Sequence, residues 1–562
     1  MEHGSLSHNG ESHIISSDLG GRRGGWITFP FIAGAVAGLT IAAGAWLSNL
    51  IVFLIQEFNV NSIDAAQISN IANGCSSFFP VIGAIIADSF FGSFSVITVS
   101  SCISLLGLVL FTSTVTLDSL KPQPCVSGSE LCEPTSNIQY AILYTALALA
   151  SIGLGGTRFT LATMGANQFD KPKSQASFFN WYFFSIYTAS VVGLTVIVYV
   201  EDNVGWKWGF GIGGIANIIG LAIFVSGTRF YCFDKPKGSP FVGLARVVVA
   251  SARKRNLQIS SESKDYCYHG DQGMTDMAVA TPSKSIRFLN RAAQNVEGDV
   301  KPDGSIAKPW RVCTVQQVED FKTLIRIMPL WSTSIFLATP IGVTSSLAIL
   351  QALNMDRHLG PHFKIPASSV VVIVLTSNSI SLSVIDRFLC PAWQKLTGRF
   401  PTPLQRIGLG HVLNVLGMAA AALVESKRLN IAQHHSGDNA PMSVLWLFPQ
   451  LVFVGIGEAF HFPGQISLYY QEFPVSLKST STAMISLVVG IAFYLSTGLI
   501  DLVQRFTSWL PDNIDNGKAD NVYWMLVVIG VVNFGYYLVC AKLYKYQNVK
   551  GTGGNPDSDC DK

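Results

Sequence analysis

Apolar runs of about 18 or more residues, each long enough to cross a hydrocarbon core of roughly 30 Å, recur along the whole chain. Twelve can be drawn, six on either side of a long polar stretch. The first six run Phe31 to Ile55, Ile68 to Ala87, Phe94 to Val115, Tyr140 to Met164, Phe178 to Tyr199 and Trp208 to Phe230. The second six run Ile325 to Leu350, Ser369 to Phe388, Ile407 to Val424, Val444 to Pro463, Met484 to Val503 and Val522 to Leu543. The pattern predicts an all-α membrane protein of twelve transmembrane helices in two six-helix bundles. Its divisions are a leader (1–28), a bundle (29–230), a connector (231–323), a second bundle (324–545) and a tail (546–562).

Composition agrees with lipid as the solvent. Of 562 residues 49% are hydrophobic and 13% charged, against roughly 25% charged in soluble domains. Mean hydropathy is +0.38. The net charge of +3 comes without a strongly basic block, so no footprint for nucleic acid exists. The first apolar run is too long for the core of a cleaved signal, and none is expected. Ten cysteines are scattered without metal-like pairs, most of them inside apolar runs. Cys125 and Cys132 share one polar loop, where a disulfide and two free thiols are equally open readings. No metal or cofactor is expected.

Charge orients the chain. The connector carries Arg246, Arg253, Lys254, Arg255, Lys284, Arg287 and Arg291, and the positive-inside rule places it and both termini in the cytoplasm. Arg22, Arg23, Lys542, Lys545 and Lys550 agree, while the opposite loops carry Glu57, Asp64, Glu130, Glu133, Glu201 and Asp202. Leu244 to Asn256 alternates apolar and basic residues, which fits a helix on the inner membrane face and a solvated linker helix alike.

Gly209, Gly211 and Gly214 match a dinucleotide-binding spacing but open an apolar span with no preceding strand. Small residues permitting close helix packing account for them, as for Gly34 and Gly38. No catalytic constellation stands out, so no enzyme is expected. Ionisable residues at membrane depth are costly and therefore informative. Arg158, after Gly153 to Thr157 in span four, reads as a binding cation or as a side chain snorkelling to the interface. Glu458 in span ten is the matching anion, and an Arg158–Glu458 pair could close and open with a transport cycle. His461, three residues on, can tune that carboxylate or simply bond to it. Asp88 ends span two, and Asp386 with Arg387 ends span eight, each in a short loop at the same place in its half. That correspondence suggests parallel repeats with gating residues at the helix ends, or ordinary helix caps.

These residues resemble the plant nitrate and peptide transporter family, related to the proton-coupled oligopeptide transporters. The stretches that carry it are Gly25-Trp26 to Phe31, Leu47-Ser48-Asn49-Leu50, Gly165-Ala166-Asn167-Gln168-Phe169-Asp170, Met355-Asp356-Arg357, Gln405-Arg406-Ile407-Gly408 and Gly457-Glu458-Ala459-Phe460 with Lys478-Ser479. The resemblance covers nearly the whole chain and implies a major-facilitator fold with alternating access around a central cavity. It also exposes departures. The family's acidic and basic E-x-x-E-[KR] motif of span one, linked to proton coupling, falls on Val36, Leu39 and Thr40, and a histidine used by one nitrate importer falls on Ile341. The basic residue of span four and the acidic residue of span ten are kept as Arg158 and Glu458.

Pro340-Ile341-Gly342 and Met355 to His362 resemble the nitrate-excretion branch, which implies efflux of nitrate, or of chloride, at the plasma membrane. Physics leads the same way: a cation stripped of carboxylate neighbours in a low-dielectric cavity attracts a small anion. The expected function is passive or outward facilitated flux of a small inorganic anion. The alternatives are a proton-coupled carrier of peptides or organic anions relying on Glu458, and a membrane receptor that senses solute. Oligomeric state is not legible.

Overall fold

The computed structural model describes residues 24–122, 135–169, 172–233, 240–260, 262, 265–267, 282–283, 285–296, 298–301, 306–434, 440–473 and 481–544. For Asp88 it describes the backbone alone. Cys125, Cys132 and most of the leader and tail lie outside these residues.

In lipid each backbone polar group must be paired within its own segment, so apolar runs become helices. Among the described residues twelve helices are long and apolar enough to span a membrane. Spans one to six are Gly25–Leu47, Ser62–Phe91, Ser93–Thr116, Asn137–Ala166, Ser177–Asn203 and Trp206–Arg229. Spans seven to twelve are Val315–Leu353, Ala367–Thr397, Pro403–Gln433, Val444–Tyr469, Ala483–Phe506 and Ala519–Leu543.

Two of the boundaries that differ from the hydropathy pattern do so for reasons hydropathy does not register. Span seven starts inside the stretch assigned to the connector because Thr314 and Gln317 form a reciprocal cap there. The Thr314 hydroxyl accepts from the Gln317 amide at 3.2 Å, and the Gln317 side chain accepts from the Thr314 amide at 3.1 Å. Span eight continues past Phe388 to Thr397, so Asp386 and Arg387 lie within a continuous helix and not in the expected loop. They sit in a π-helical turn, Ile385–Leu389, and Asp88 sits in its counterpart, Ala87–Phe91. Bonding from i to i+5, as from the Gly92 amide to the Ala87 carbonyl at 3.0 Å, lets a helix carry an extra residue without ending. None of the three is a helix cap.

Small residues set how closely the first bundle packs. A Cβ on Gly38 of span one would stand 2.5 Å from the Ala216 carbonyl oxygen of span six, and one on Gly34 would meet Ile223 at 2.9 Å. Gly209 packs directly on Glu201, whereas Gly211 and Gly214 face open space, so the glycine triplet holds no common cradle. Span one breaks at Ser48 and Asn49 before resuming as Leu50–Phe58. Span five carries a π-turn at Gly193–Ile197, which approaches the helix of span one closely where Gly193 faces Gly44.

The second bundle is tied by a buried network. Arg428 bonds Glu425 through Nε and Nη2 at 2.8 Å each and also bonds Asp515. Gln351 donates to Glu425 at 2.6 Å and accepts from Tyr523 at 3.1 Å and from Gln450 at 3.2 Å. Spans seven, nine, ten and twelve thus share one polar knot.

The halves meet where span two packs on span eleven. Bonds between them join Gln67 to Gln504, Asn70 to Ser346, Cys75 to Tyr494 and Ser369 to the Leu194 carbonyl. Tyr199 also stacks on Phe363 with centroids 5.9 Å apart. Apart from the mid-depth Cys75 pair, these contacts lie toward the end of the bundle away from the connector. In the connector, helix Pro240–Arg253 buries Val247 and Ala250 against the turn Arg287–Ala293 and the start of span seven. Its apolar face is therefore covered by protein.

Candidate functional site

A cavity of about 330 Å³ opens among spans one, two, four, five and eight. Span four reaches it through a division of labour between its faces. Gly153, Gly155 and Gly156 press against spans two and three so closely that an added Cβ would come within 2.4 Å of the Ser104 nitrogen, 2.3 Å of the Phe79 Cβ and 2.0 Å of the Ser100 oxygen. Arg158 follows immediately and turns to the cavity, where it lines the wall with Thr157, Leu161, Tyr182 and Ile186.

Arg158 is exposed, and the space it faces is this cavity, so the side chain is not a snorkelling one. Among the described residues it makes no ion pair. Its nearest electrostatic neighbours are the phenols of Tyr182 and Tyr187. Tyr182 is buried, and its hydroxyl donates to the Arg158 main-chain carbonyl at 2.9 Å. Val36, Leu39 and Thr40 line the same cavity, so the three positions that lack the acidic and basic motif stand in the wall of Arg158's own chamber. Ile341 is instead partly buried against a core cluster drawn from both bundles.

Glu458 is partly buried in span ten and pairs with no described cation. Tyr187 interacts electrostatically with both Glu458 and Arg158. His461 does not bond Glu458. It is fully buried against Gly410 and His411, the two imidazoles edge to face with centroids 5.4 Å apart. The Ile407 carbonyl is its backbone neighbour, although neither ring nitrogen makes a well-formed hydrogen bond. His411 in turn stacks on Tyr537 at 4.7 Å. Asp386 and Arg387 are exposed and unpaired with one another, at the connector end of span eight. The structure thus gathers Arg158, Val36, Leu39 and Thr40 into one chamber and leaves Glu458 and His461 beyond it. Tyr182, Tyr187 and His411 were missed because an isolated aromatic or histidine in an apolar run carries no signal of its own.

The chamber is walled by the first bundle and closed by Leu375 of the second, within a fold that known proteins share. Residues 94–519 match the model of the family described as PTR2, POT family. The chain belongs to the POT family. It is 57% identical over 542 residues to Protein NRT1/ PTR FAMILY 2.7 of Arabidopsis thaliana, covering 95% of this chain and 96% of that protein. It is 54% identical over 561 residues to Protein NRT1/ PTR FAMILY 2.6 of the same plant, covering 99% of each. Among solved structures it resembles an auto-inhibited POT family peptide transporter, with a TM-score of 0.70 at 16% identity over 93% of this chain and 98% of that one. The POT transporter PepTSo gives a TM-score of 0.69 at 16% identity over 92% and 98%. This POT-family chain therefore has the major-facilitator fold and is a multi-pass membrane transporter.

Proposed function

We propose that the chain carries small inorganic anions, nitrate first and chloride second, by alternating access with Arg158 as the anion site. The observation that carries this reading is a cavity-facing guanidinium with no carboxylate beside it among the described residues, in a chamber whose span-one wall offers Val36, Leu39 and Thr40. A unit anion 4 Å from a unit cation gains about 4 kcal/mol at an effective dielectric near 20. That corresponds to a Kd on the order of 1 mM. Such a site fills from millimolar anion and still empties, as a carrier requires. A carboxylate at any of the three positions would cancel the attraction.

The connector and both termini face the cytoplasm in this reading, by the charge of the connector, and the protein works at the plasma membrane. The contacts between halves then close the outer end, and the chamber is the inward-facing site. An inside-negative potential contributes about 2.3 kcal/mol per 100 mV toward outward anion movement. Efflux needs no proton gradient.

Proteoliposomes loaded with nitrate or with chloride test the proposal. Both anions should leave faster than from empty vesicles, and each departure should carry negative charge outward. Uptake driven by external acid and accompanied by net positive charge would overturn the reading in favour of a proton-coupled carrier using Glu458. Flux at the level of empty vesicles would overturn it in favour of a sensor.

A further inference from the structure

At the end of the first bundle away from the connector, three polar groups meet with too few donors. Glu201 is only 2% exposed, and neither carboxyl oxygen has a hydrogen-bond partner. Asn49, at the break in span one, lies against it. The Asn49 amide nitrogen donates instead to Asp202 at 3.0 Å, and its carbonyl oxygen is also unpartnered. One side-chain amide thus stands between two carboxyl groups. An amide has a donor edge and an acceptor edge, while an ionised carboxylate only accepts. Asn49 can offer N–H groups to both carboxyls, yet it serves Asp202 and leaves its own oxygen and both Glu201 oxygens unpartnered among the described residues, a shortage that ends when one carboxyl carries a proton.

The surroundings decide which one does. Asp202 is partly exposed and faces Arg357 and Lys364, both from the loop after span seven in the other half. Among the described residues Glu201 has no cation against it. Span six packs Gly209 onto its side chain, where a Cβ would stand 2.2 Å from Cγ, and Lys207 of that span points to the exposed side. The π-turn of span five adds no charged residue, and Asp202 is the other acid beside it. A carboxylate sealed in this way without donors is expensive, and a carboxylic acid donating to the Asn49 carbonyl satisfies two of the three orphan oxygens at once.

We propose that Glu201 is a proton-binding site whose occupancy holds the outer end of the carrier closed. Protonation forms one O–H bond at the Glu201 carboxyl as one O–H bond of a hydronium ion at that end breaks, leaving water; no other covalent bond changes. The bonded acid fixes Asn49, Asn49 presents its amide to Asp202, and Asp202 attracts Arg357 and Lys364 across the interface. Loss of the proton sets two anions on one amide, which loosens the break in span one and the partnership with the second bundle. The proton returns to the side it came from, so it biases the conformational balance without driving transport.

Infrared spectroscopy of the full chain in liposomes reads the proton itself. At neutral pH the wild type should show a protonated carboxylic-acid band that Glu201→Gln removes; an unchanged spectrum overturns the assignment. Closure is read with Tyr199→Cys and Phe363→Cys, introduced together where the two rings stack. Cross-linking should fall several-fold as pH is raised at the outer end, and Glu201→Gln should abolish that dependence. A pH profile unaffected by Glu201→Gln overturns the coupling. Should Glu201→Gln fail to insert, Asn49→Ala must leave the acid band in place but shift it toward the frequency of an unbonded acid, and an unshifted band contradicts the pairing. Neither readout requires anion flux, so this inference and the anion-site reading can fail separately.

Discussion

Tyr182 and Arg158 are joined through the main chain, the phenol donating to the arginine's carbonyl at 2.9 Å. The bond docks span five onto span four at the level of the chamber and leaves the guanidinium free. Tyr182→Phe removes one donor from a carbonyl that keeps its helical bond, at a cost of about 0.5–1.5 kcal/mol. We expect a lower thermal midpoint in detergent and a KM for nitrate raised several-fold, with maximal flux less affected. Saturation curves from loaded vesicles check this.

Restoring charge to span one should undo the anion site. Thr40→Glu places a carboxylate in the chamber of Arg158, where it neutralises the cation. Nitrate flux should fall at least tenfold at neutral pH and recover partly in acid, as the new carboxyl is protonated. Initial rates across a pH series supply the test.

The glycine face of span four sets the position of Arg158. Gly155→Ala would bring a Cβ to 2.3 Å from that of Phe79, and the helix must move. Overpacking of this kind costs about 1–3 kcal/mol. Both the thermal midpoint and the nitrate KM should worsen, whereas a change at Gly211, which has open space before it, should alter neither.

Arg428 is fully buried with Glu425, far from the chamber along the chain. Arg428→Met strands a buried carboxylate and should destabilise by about 3–5 kcal/mol. Adding Glu425→Gln should recover part of the loss. Flux per correctly folded molecule should stay unchanged, which fluorescence-detected size exclusion combined with transport can establish.

Burial pushes the Cys313 thiol up to about 11. A raised thiol value means the protonated, unreactive form persists through neutral pH, and thiolate accumulates only as pH climbs toward that value. Maleimide should therefore label exposed Cys232 quickly at neutral pH and Cys313 only after unfolding, as mass spectrometry of the labelled peptides would show.

The twelve spans were legible because membrane depth leaves a local signature: a run of apolar side chains is visible in any window that contains it. Arg158 was legible for the opposite reason, since a strong cation inside such a run has to be explained. What the sequence hid depends on contacts distant along the chain. Glu425 meets Gln351 from 74 residues away, and Asn49 meets Asp202 from 153. The π-turns at Asp88 and Asp386 were read as loops because a helix that gains one residue keeps the composition of a helix end. His461 was paired with Glu458 by its three-residue spacing, yet close packing of Gly410 against it keeps its ring beside His411.

Anion transport by this chain turns on the guanidinium of Arg158 holding the transported ion. Its most direct measurement is nitrate efflux from proteoliposomes holding equal amounts of inserted wild type and Arg158→Ala at a fixed inside-negative potential. We expect the variant to fall to the rate of empty vesicles, with Arg158→Lys retaining a fraction of the flux at a higher KM. Undiminished, normally saturating efflux from Arg158→Ala would contradict the account.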